Sequence, residues 1–326
     1  FSALQTRGYY MMPSDHIYTA PKEWWLPYTD PSFMCSAYDN MHASWSSTHE
    51  ETWDVVKHND FVGGQFIWTG FDYIGEPTPY AYPARSSYFG IIDLAGLPKD
   101  SYYMYQSEWT SKDVLHLFPH WNWLPGQTID MWCYYNHADE VELFVNGKSQ
   151  GVRRKTVYGA KNEGKAFEKS TEYHVMWRVN FEPGEVKVVA RKNGKQVGEQ
   201  IIRTAGAPHH LVLKKTYQGY QAFGASEPTT FVEVNVVDKE GNLCPNAENQ
   251  IFFSVIGEEA GEEASAGLDE KAGLKILGTD NGCQTSLERF TAPHRKAFFG
   301  KCIVVLKGKG TLKAQAIDLK DATLSL

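Results

Sequence analysis

The rhythm of hydrophobic and polar positions changes twice along this chain. Between about residues 111 and 206 apolar and polar residues alternate in short runs. These are TIDMWCYY (128–135), EVELFVNGKSQGV (140–152), YHVMWRVNF (173–181) and GEVKVVARKNGKQVGEQII (184–202). A period of two is the mark of strands with one buried face. Two of these runs are broken by Asn-Gly, at Asn146-Gly147 and Asn193-Gly194. Asn-Gly readily takes positive φ and so closes tight hairpins. The pattern predicts an antiparallel β-sandwich over 111–206, with the charged stretch 153–169 as a solvated loop.

Beyond a joint of small residues at Thr204–His210 the alternation resumes in TTFVEVNVVDKEGNLCPNA (229–247), NQIFFSVIG (249–257), KAFFGKCIVVLKG (296–308) and GTLKAQAID (310–318). These predict a second sandwich over 207–326. The acidic, low-complexity stretch 257–273 predicts a mobile surface loop.

The first 110 residues follow another pattern. HEETWDVVKHND (49–60) has helical spacing, with Trp53, Val56 and Val55 as its apolar face. Thr48 before it and Glu51 three residues on form a capping box. FVGGQFIW (61–68) follows at once and predicts a buried strand. A helix running directly into a buried strand is the αβ half of a βαβ unit. The strand would deliver Trp68, Asp72 and Glu76 into a turn-rich loop.

Composition narrows the chemistry. Aromatic residues make up 14% of the 326 positions, with 10 Trp, 18 Tyr and 17 Phe. This suits large cores or flat rings stacked on sugar C–H faces. The net charge is −7 and no basic stripe is visible, which argues against nucleic acid as a partner. The five cysteines are far apart, with no CxxC, and the histidines show no metal spacing, so neither a disulfide framework nor a metal site is expected. No run approaches the roughly 18 apolar residues that a membrane span needs. The chain opens on FSALQTRGYY, without an initiator Met or a leader pattern.

Four segments taken in order, FVGGQFIWTGFDYIGEPTPY (61–80), RSSYFGIIDLAGLPKDSYYMYQSEW (85–109), HLFPHWNW (116–123) and VELFVNGKSQG (141–151), resemble glycoside hydrolase family 2, and its β-galactosidase branch in particular. The stretch 207–326, with VVDKEGNLCPNA and GTDNGCQTSLERFTAPHRKAFFGKC, resembles the immunoglobulin-like domain often appended to such enzymes. The resemblance implies three parts. Residues 1–110 would be the C-terminal portion of a (β/α)8 TIM barrel, and 111–206 and 207–326 two immunoglobulin-like β-sandwiches. It implies a retaining exo-β-glycosidase that hydrolyses a terminal β-galactoside by double displacement, without a cofactor. Such an enzyme holds its two carboxyls about 5–5.5 Å apart. The nucleophile and acid/base are expected upstream of Phe1, in a barrel portion that this part would need as its partner. Glu50, Glu51 and Glu108 do not fit either motif, so no catalytic residue is assigned. The resemblance favours a periplasmic or secreted enzyme over a cytoplasmic one, and leaves a homo-oligomer open.

Active sites of barrels lie at the C-terminal ends of their strands. Trp68 is therefore expected as a platform under the sugar. Glu76 can accept hydrogen bonds from adjacent hydroxyls. Asp72 is a further substrate contact, or a loop anchor that accepts backbone N–H groups. His120 and Trp121 at the junction are candidates for an outer subsite, or for interface packing together with Trp123. Arg7 and Arg85 are expected in structural ion pairs. β-Glucuronidases of this family carry an Asn-x-Lys motif for the sugar carboxylate. By resemblance that place reads Ser87-Tyr88-Phe89 here, which disfavours a uronic acid and favours galactose. β-Mannosidase and β-glucuronidase remain alternatives. A third, of a different class, is a non-catalytic carbohydrate-binding module with Tyr217, Tyr220 and Phe223 as its aromatic row.

Overall fold

The computed structural model describes residues 3–10, 31–43, 45–157, 170–220, 229–256, 263–264 and 273–326. The chain divides into two compact units, Phe1–Thr204 and Ala205–Leu326.

In the first unit α1 spans His49–Lys57 and α2 spans Asp100–Trp109. The Thr48 hydroxyl accepts the Glu51 N–H, and the Glu51 carboxylate accepts the Thr48 N–H, so the capping box forms as read from the sequence. Trp53 packs against the core and Val56 is half-buried, so this expected apolar face points inward. His49 and Thr52 are buried, while Val55 lies exposed. The Asp39 carboxylate accepts the N–H groups of His49 and Glu50 at 3.0 and 2.8 Å and fixes the first turn.

Seven strands follow: β1 (Leu115–Phe118), β2 (Thr128–Tyr135), β3 (Glu140–Val145), β4 (Lys148–Arg153), β5 (His174–Asn180), β6 (Glu185–Lys192) and β7 (Lys195–Arg203). They form two antiparallel sheets, β1-β2-β5 and β4-β3-β6-β7. Asn146-Gly147 and Asn193-Gly194 have positive φ and close the β3–β4 and β6–β7 hairpins. Leu117, Ile129, Met131, Cys133, Val141, Leu143, Val175, Trp177, Val186 and Val188 fill the space between the sheets.

β2 is buried at every position after the first. Ile129, Met131 and Cys133 face the sandwich core. Trp132 and Tyr134 face the other way and pack with Tyr38, Ile91, Met104 and Tyr105 from the N-terminal segment. One sheet thus serves two cores. Asp130 on the same strand is buried in a bidentate pair with Arg178, at 2.7 and 2.9 Å.

The expected strand over 61–68 does not form. No ladder pairs residues 62–67, and Phe66 is 95% exposed. A strand needs hydrogen-bonded neighbours, and this segment has none among the described residues. Pairing starts just after Trp68. Thr69 N–H donates to the Phe89 carbonyl, Ile91 N–H to Thr69, Ile92 N–H to Gly70 and Asp72 N–H to Ile92. Elsewhere in residues 3–110 the described backbone forms the two helices and isolated bridges rather than barrel strands.

The second unit holds β8 (His210–Tyr220), β9 (Thr229–Val237), β10 (Gln250–Ile256), β11 (Glu263–Ala264), β12 (Leu274–Asp280), β13 (His294–Lys296), β14 (Lys301–Gly308), β15 (Thr311–Ala316) and β16 (Ala322–Ser325). Its sheets are β12-β14-β9-β8 and β11-β10-β15-β16, with β13 added beside β10. Val232, Val234, Val236, Ile251, Phe253, Val304, Leu306 and Leu312 make its core. Most of the two loops expected over 153–169 and 257–273 lies outside the described residues.

Candidate functional site

The loop after Trp68 is built on a buried strut. Residues Thr69–Asp72 lie against Phe89–Ile92 so closely that a Cβ on Gly90 would sit 2.1 Å from the Asp72 nitrogen. Only glycine fits there. Beneath the loop, the Lys99 ammonium is held by Asp72 at 2.8 Å and by the carbonyls of Gln5 and Tyr88 at 2.8 and 3.1 Å. Beside it, Arg7 pairs with Asp93 at 2.5 Å, both buried. Arg7 is thus the structural ion-pair partner that the sequence suggested.

Asp72 is therefore an anchor, and its reading as a substrate contact is corrected. The residue is 3% exposed and its carboxylate accepts the Gly90 N–H at 2.8 Å as well as the Lys99 bond. Burial pushes its carboxyl up to about 6, against the pull of Lys99. A group so enclosed cannot offer its oxygens to a sugar.

Trp68 and Glu76 are brought together by a residue that the sequence reading passed over. The Trp68 indole N–H donates to the Tyr73 hydroxyl at 3.2 Å, and that hydroxyl donates to Glu76 Oε2. The Trp68 and Tyr73 rings meet edge to face, 6.2 Å apart. Burial, then the bond to Glu76, raises the Tyr73 hydroxyl above its ordinary range and keeps it a donor. Glu76 is exposed, with a φ of 48° in the turn that follows Gly75. Trp68 is 52% exposed. The result is a surface with an aromatic face at one end, a carboxylate at the other and a hydroxyl linking them. A ring that covers C–H groups beside a carboxylate that accepts from hydroxyls suits a polyhydroxylated ligand.

Of the two outer-subsite candidates, Trp121 is corrected. Trp121 is fully buried in the sandwich core, against Phe181, and its indole donates to the Glu182 carbonyl at 2.9 Å. His120 stacks on Trp123 at 4.4 Å and meets Tyr10 edge-on. Burial lowers its imidazole to about 4, so it is neutral, and its Nδ1 accepts the Asn122 N–H. Trp121 therefore serves packing, and His120 is half-buried among the rings at the junction.

Ser87, Tyr88 and Phe89 are also fully buried. Ser87 Oγ accepts the Tyr73 N–H and the Tyr88 hydroxyl donates to the Phe33 carbonyl. Packing alone accounts for the residues at this place, so a missing lysine there says less about the sugar than the sequence suggested. Glu50 and Glu108 are engaged elsewhere: Glu50 with His174 at 2.6 Å, Glu108 with Trp53 and Lys57. Of the proposed aromatic row, Tyr217 is exposed on β8. The Tyr220 side chain and Phe223 lie outside the described residues.

Two family descriptions match the chain. Residues 126–198 match a domain of unknown function, DUF4982, and residues 216–325 match the glycoside hydrolase family 2 C-terminal domain 5. The whole chain is 53% identical to the beta-galactosidase BoGH2A of Bacteroides ovatus, of which it covers 35%. Over 86% of its length it is 32% identical to a putative beta-glucuronidase of Formosa agariphila, covering 25% of that protein. A crystal structure of a beta-glycosidase from Bacteroides vulgatus superposes with a TM-score of 0.78 at 31% identity, over 99% of this chain and 40% of that one. The chain thus spans between a quarter and two fifths of these relatives. With a family 2 domain in its second unit and half its residues shared with a family 2 enzyme along its entire length, the chain belongs to glycoside hydrolase family 2.

Proposed function

We propose that this chain acts as the C-terminal part of a retaining exo-β-glycosidase whose preferred substrate is a terminal β-galactoside. Residues 1–110 would complete a (β/α)8 barrel, with 61–68 becoming its last strand once neighbours are supplied. The attacking carboxylate and the acid/base would come from the rest of the barrel. Attack at the anomeric carbon, protonation of the leaving oxygen and hydrolysis of the glycosyl-enzyme would follow the usual two-step course. Residues 111–206 and 207–326 would serve as two sandwich domains of that enzyme.

The observation that carries this reading is the Trp68–Tyr73–Glu76 surface, which lies just after the segment that resembles a barrel strand end. Galactose is preferred because of the likeness to the Bacteroides ovatus beta-galactosidase along the whole chain. A β-glucuronidase is the second reading, since the Formosa agariphila relative bears that name. The test is turnover of an aryl β-galactoside against the matching aryl β-glucuronide by the complete enzyme. Faster cleavage of the galactoside is expected. A faster glucuronide would transfer the proposal to the second reading, and turnover of neither would end both.

A further inference from the structure

Away from the sugar surface, Asp54, His58 and Glu172 bring one ligand atom each to within 4.8 Å of one another. Asp54 and His58 are one helical turn apart, on and just after α1, so they share a face. Glu172 comes from the segment that precedes β5. The His58 Nε2 lies 2.8 Å from Glu172 Oε2 and 3.8 Å from Asp54 Oδ1. We propose that these three side chains bind a divalent transition metal, zinc by preference, that cross-braces α1 to the sandwich.

Several features support a site rather than a simple ion pair. Asp54 is oriented toward His58 Nε2 by the Tyr173 hydroxyl, which donates to its Oδ1 at 2.8 Å. The other oxygen of Glu172 is held by Lys57 at 2.8 Å, which leaves Oε2 on the His58 side. Partners that aim ligands in this way are the usual second layer of a metal site. The charge also fits. Glu108 lies 2.9 Å from Lys57, and Lys155 lies 3.6 Å from Glu108, so these three carry one positive charge between them and, with Asp54 and Glu172, the cluster is left one negative charge for the cation.

The two His58 distances need little change. Zinc bonds of about 2.0–2.2 Å in a tetrahedron place ligand atoms roughly 3.3 Å apart. His58 and Glu172 would open by about half an ångström and Asp54 would close by as much, within side-chain adjustment. The imidazole proton would move to Nδ1, freeing the Nε2 lone pair, and water would take the fourth position. One nitrogen and two carboxylate oxygens favour zinc over magnesium or calcium.

The experiment is calorimetric titration of Zn2+ into chelator-treated protein: wild type, His58→Gln, Glu172→Gln and His137→Gln. The last removes an imidazole from an exposed pair with Asp113 and serves as a control. Wild type and His137→Gln should take up one equivalent more than the other two variants, and zinc should raise their Tm further. Equal stoichiometry in all four would overturn the proposal. Should either site variant fail to fold, crystals of zinc-soaked wild type decide it. A peak at the zinc absorption edge between the three side chains is expected, and its absence refutes the site.

Discussion

Lys99 Nζ lies 2.8 Å from Asp72 Oδ2, and both side chains are fully withdrawn from water. The pair sits directly beneath the loop that carries Tyr73 and Glu76. Removing one partner of a buried pair leaves the other charge uncompensated, at a cost of about 3–5 kcal/mol. Lys99→Met and Asp72→Asn should each lose stability on that scale in chemical denaturation. The double variant should lose less than the sum of the two, because neither charge is then stranded. Additive losses would mean that the pair does not act as a unit.

The exposed residues should behave in the opposite way. Trp68→Ala, Tyr73→Phe and Glu76→Gln remove little buried contact, so each should change folding stability by about 1 kcal/mol or less. In the complete enzyme each should lower kcat/KM for an aryl β-galactoside by roughly tenfold or more, or about 1.4 kcal/mol. Tyr73→Phe is the most informative of the three, since it deletes only the hydroxyl that joins the other two. Normal kinetics for all three would remove this surface from the substrate.

Gly90 and Gly70 lie on the two paired segments and should respond differently to the same change. A Cβ at Gly90 meets three backbone atoms within 2.5 Å, whereas one at Gly70 meets nothing within 4 Å. Gly90→Ala should separate the segments, costing about 3 kcal/mol or more. Gly70→Ala should be neutral, or stabilising by about 0.4–1 kcal/mol through the unfolded chain. Thermal melts of the two variants beside wild type suffice.

Two neighbours at the start of α1 give stability an unusual pH response. Burial, reinforced by Lys99, lowers the His49 imidazole from 6.5 to about 3. Between those values the unfolded chain binds a proton that the folded one refuses, so this contribution is full above 6.5 and is lost as pH falls. Burial, then Glu50, raises the Asp39 carboxyl from 3.8 to about 7. There the folded chain holds the proton, so its contribution grows as pH falls through that window. The advantage of wild type over His49→Gln should therefore shrink from pH 7 to pH 4 in denaturant titrations. An unchanging gap would show that His49 titrates normally.

The sandwiches were legible because their strands announce themselves locally. Alternation and Asn-Gly turns placed β2, β3, β6, β7 and β9 close to their observed ends. Thr48 and Glu51 likewise announced the start of α1. The segment 61–68 misled for a different reason. Its composition suits a buried strand, but a strand also requires partners, which no local pattern supplies. Asp72 and Trp121 misled through burial: residue type and loop position gave their chemistry, not the depth at which they lie. Lys99, Gly90 and Tyr73 were missed because their roles depend on segments about 5 to 94 residues away. Tyr73 was the most accessible of these, standing between two acids already under suspicion.

The double-faced burial of β2 bears on how such enzymes can be recombined. A sandwich used as a portable cassette should present a polar exterior wherever it is cut out. This one would instead bring Trp132, Tyr134 and Met176 to its surface if severed before β1, an adhesive stripe that favours aggregation. Exchange of modules between related enzymes would then succeed only where the residues that lead into the first sandwich travel with it, so the unit of inheritance is larger than the sheet pair alone.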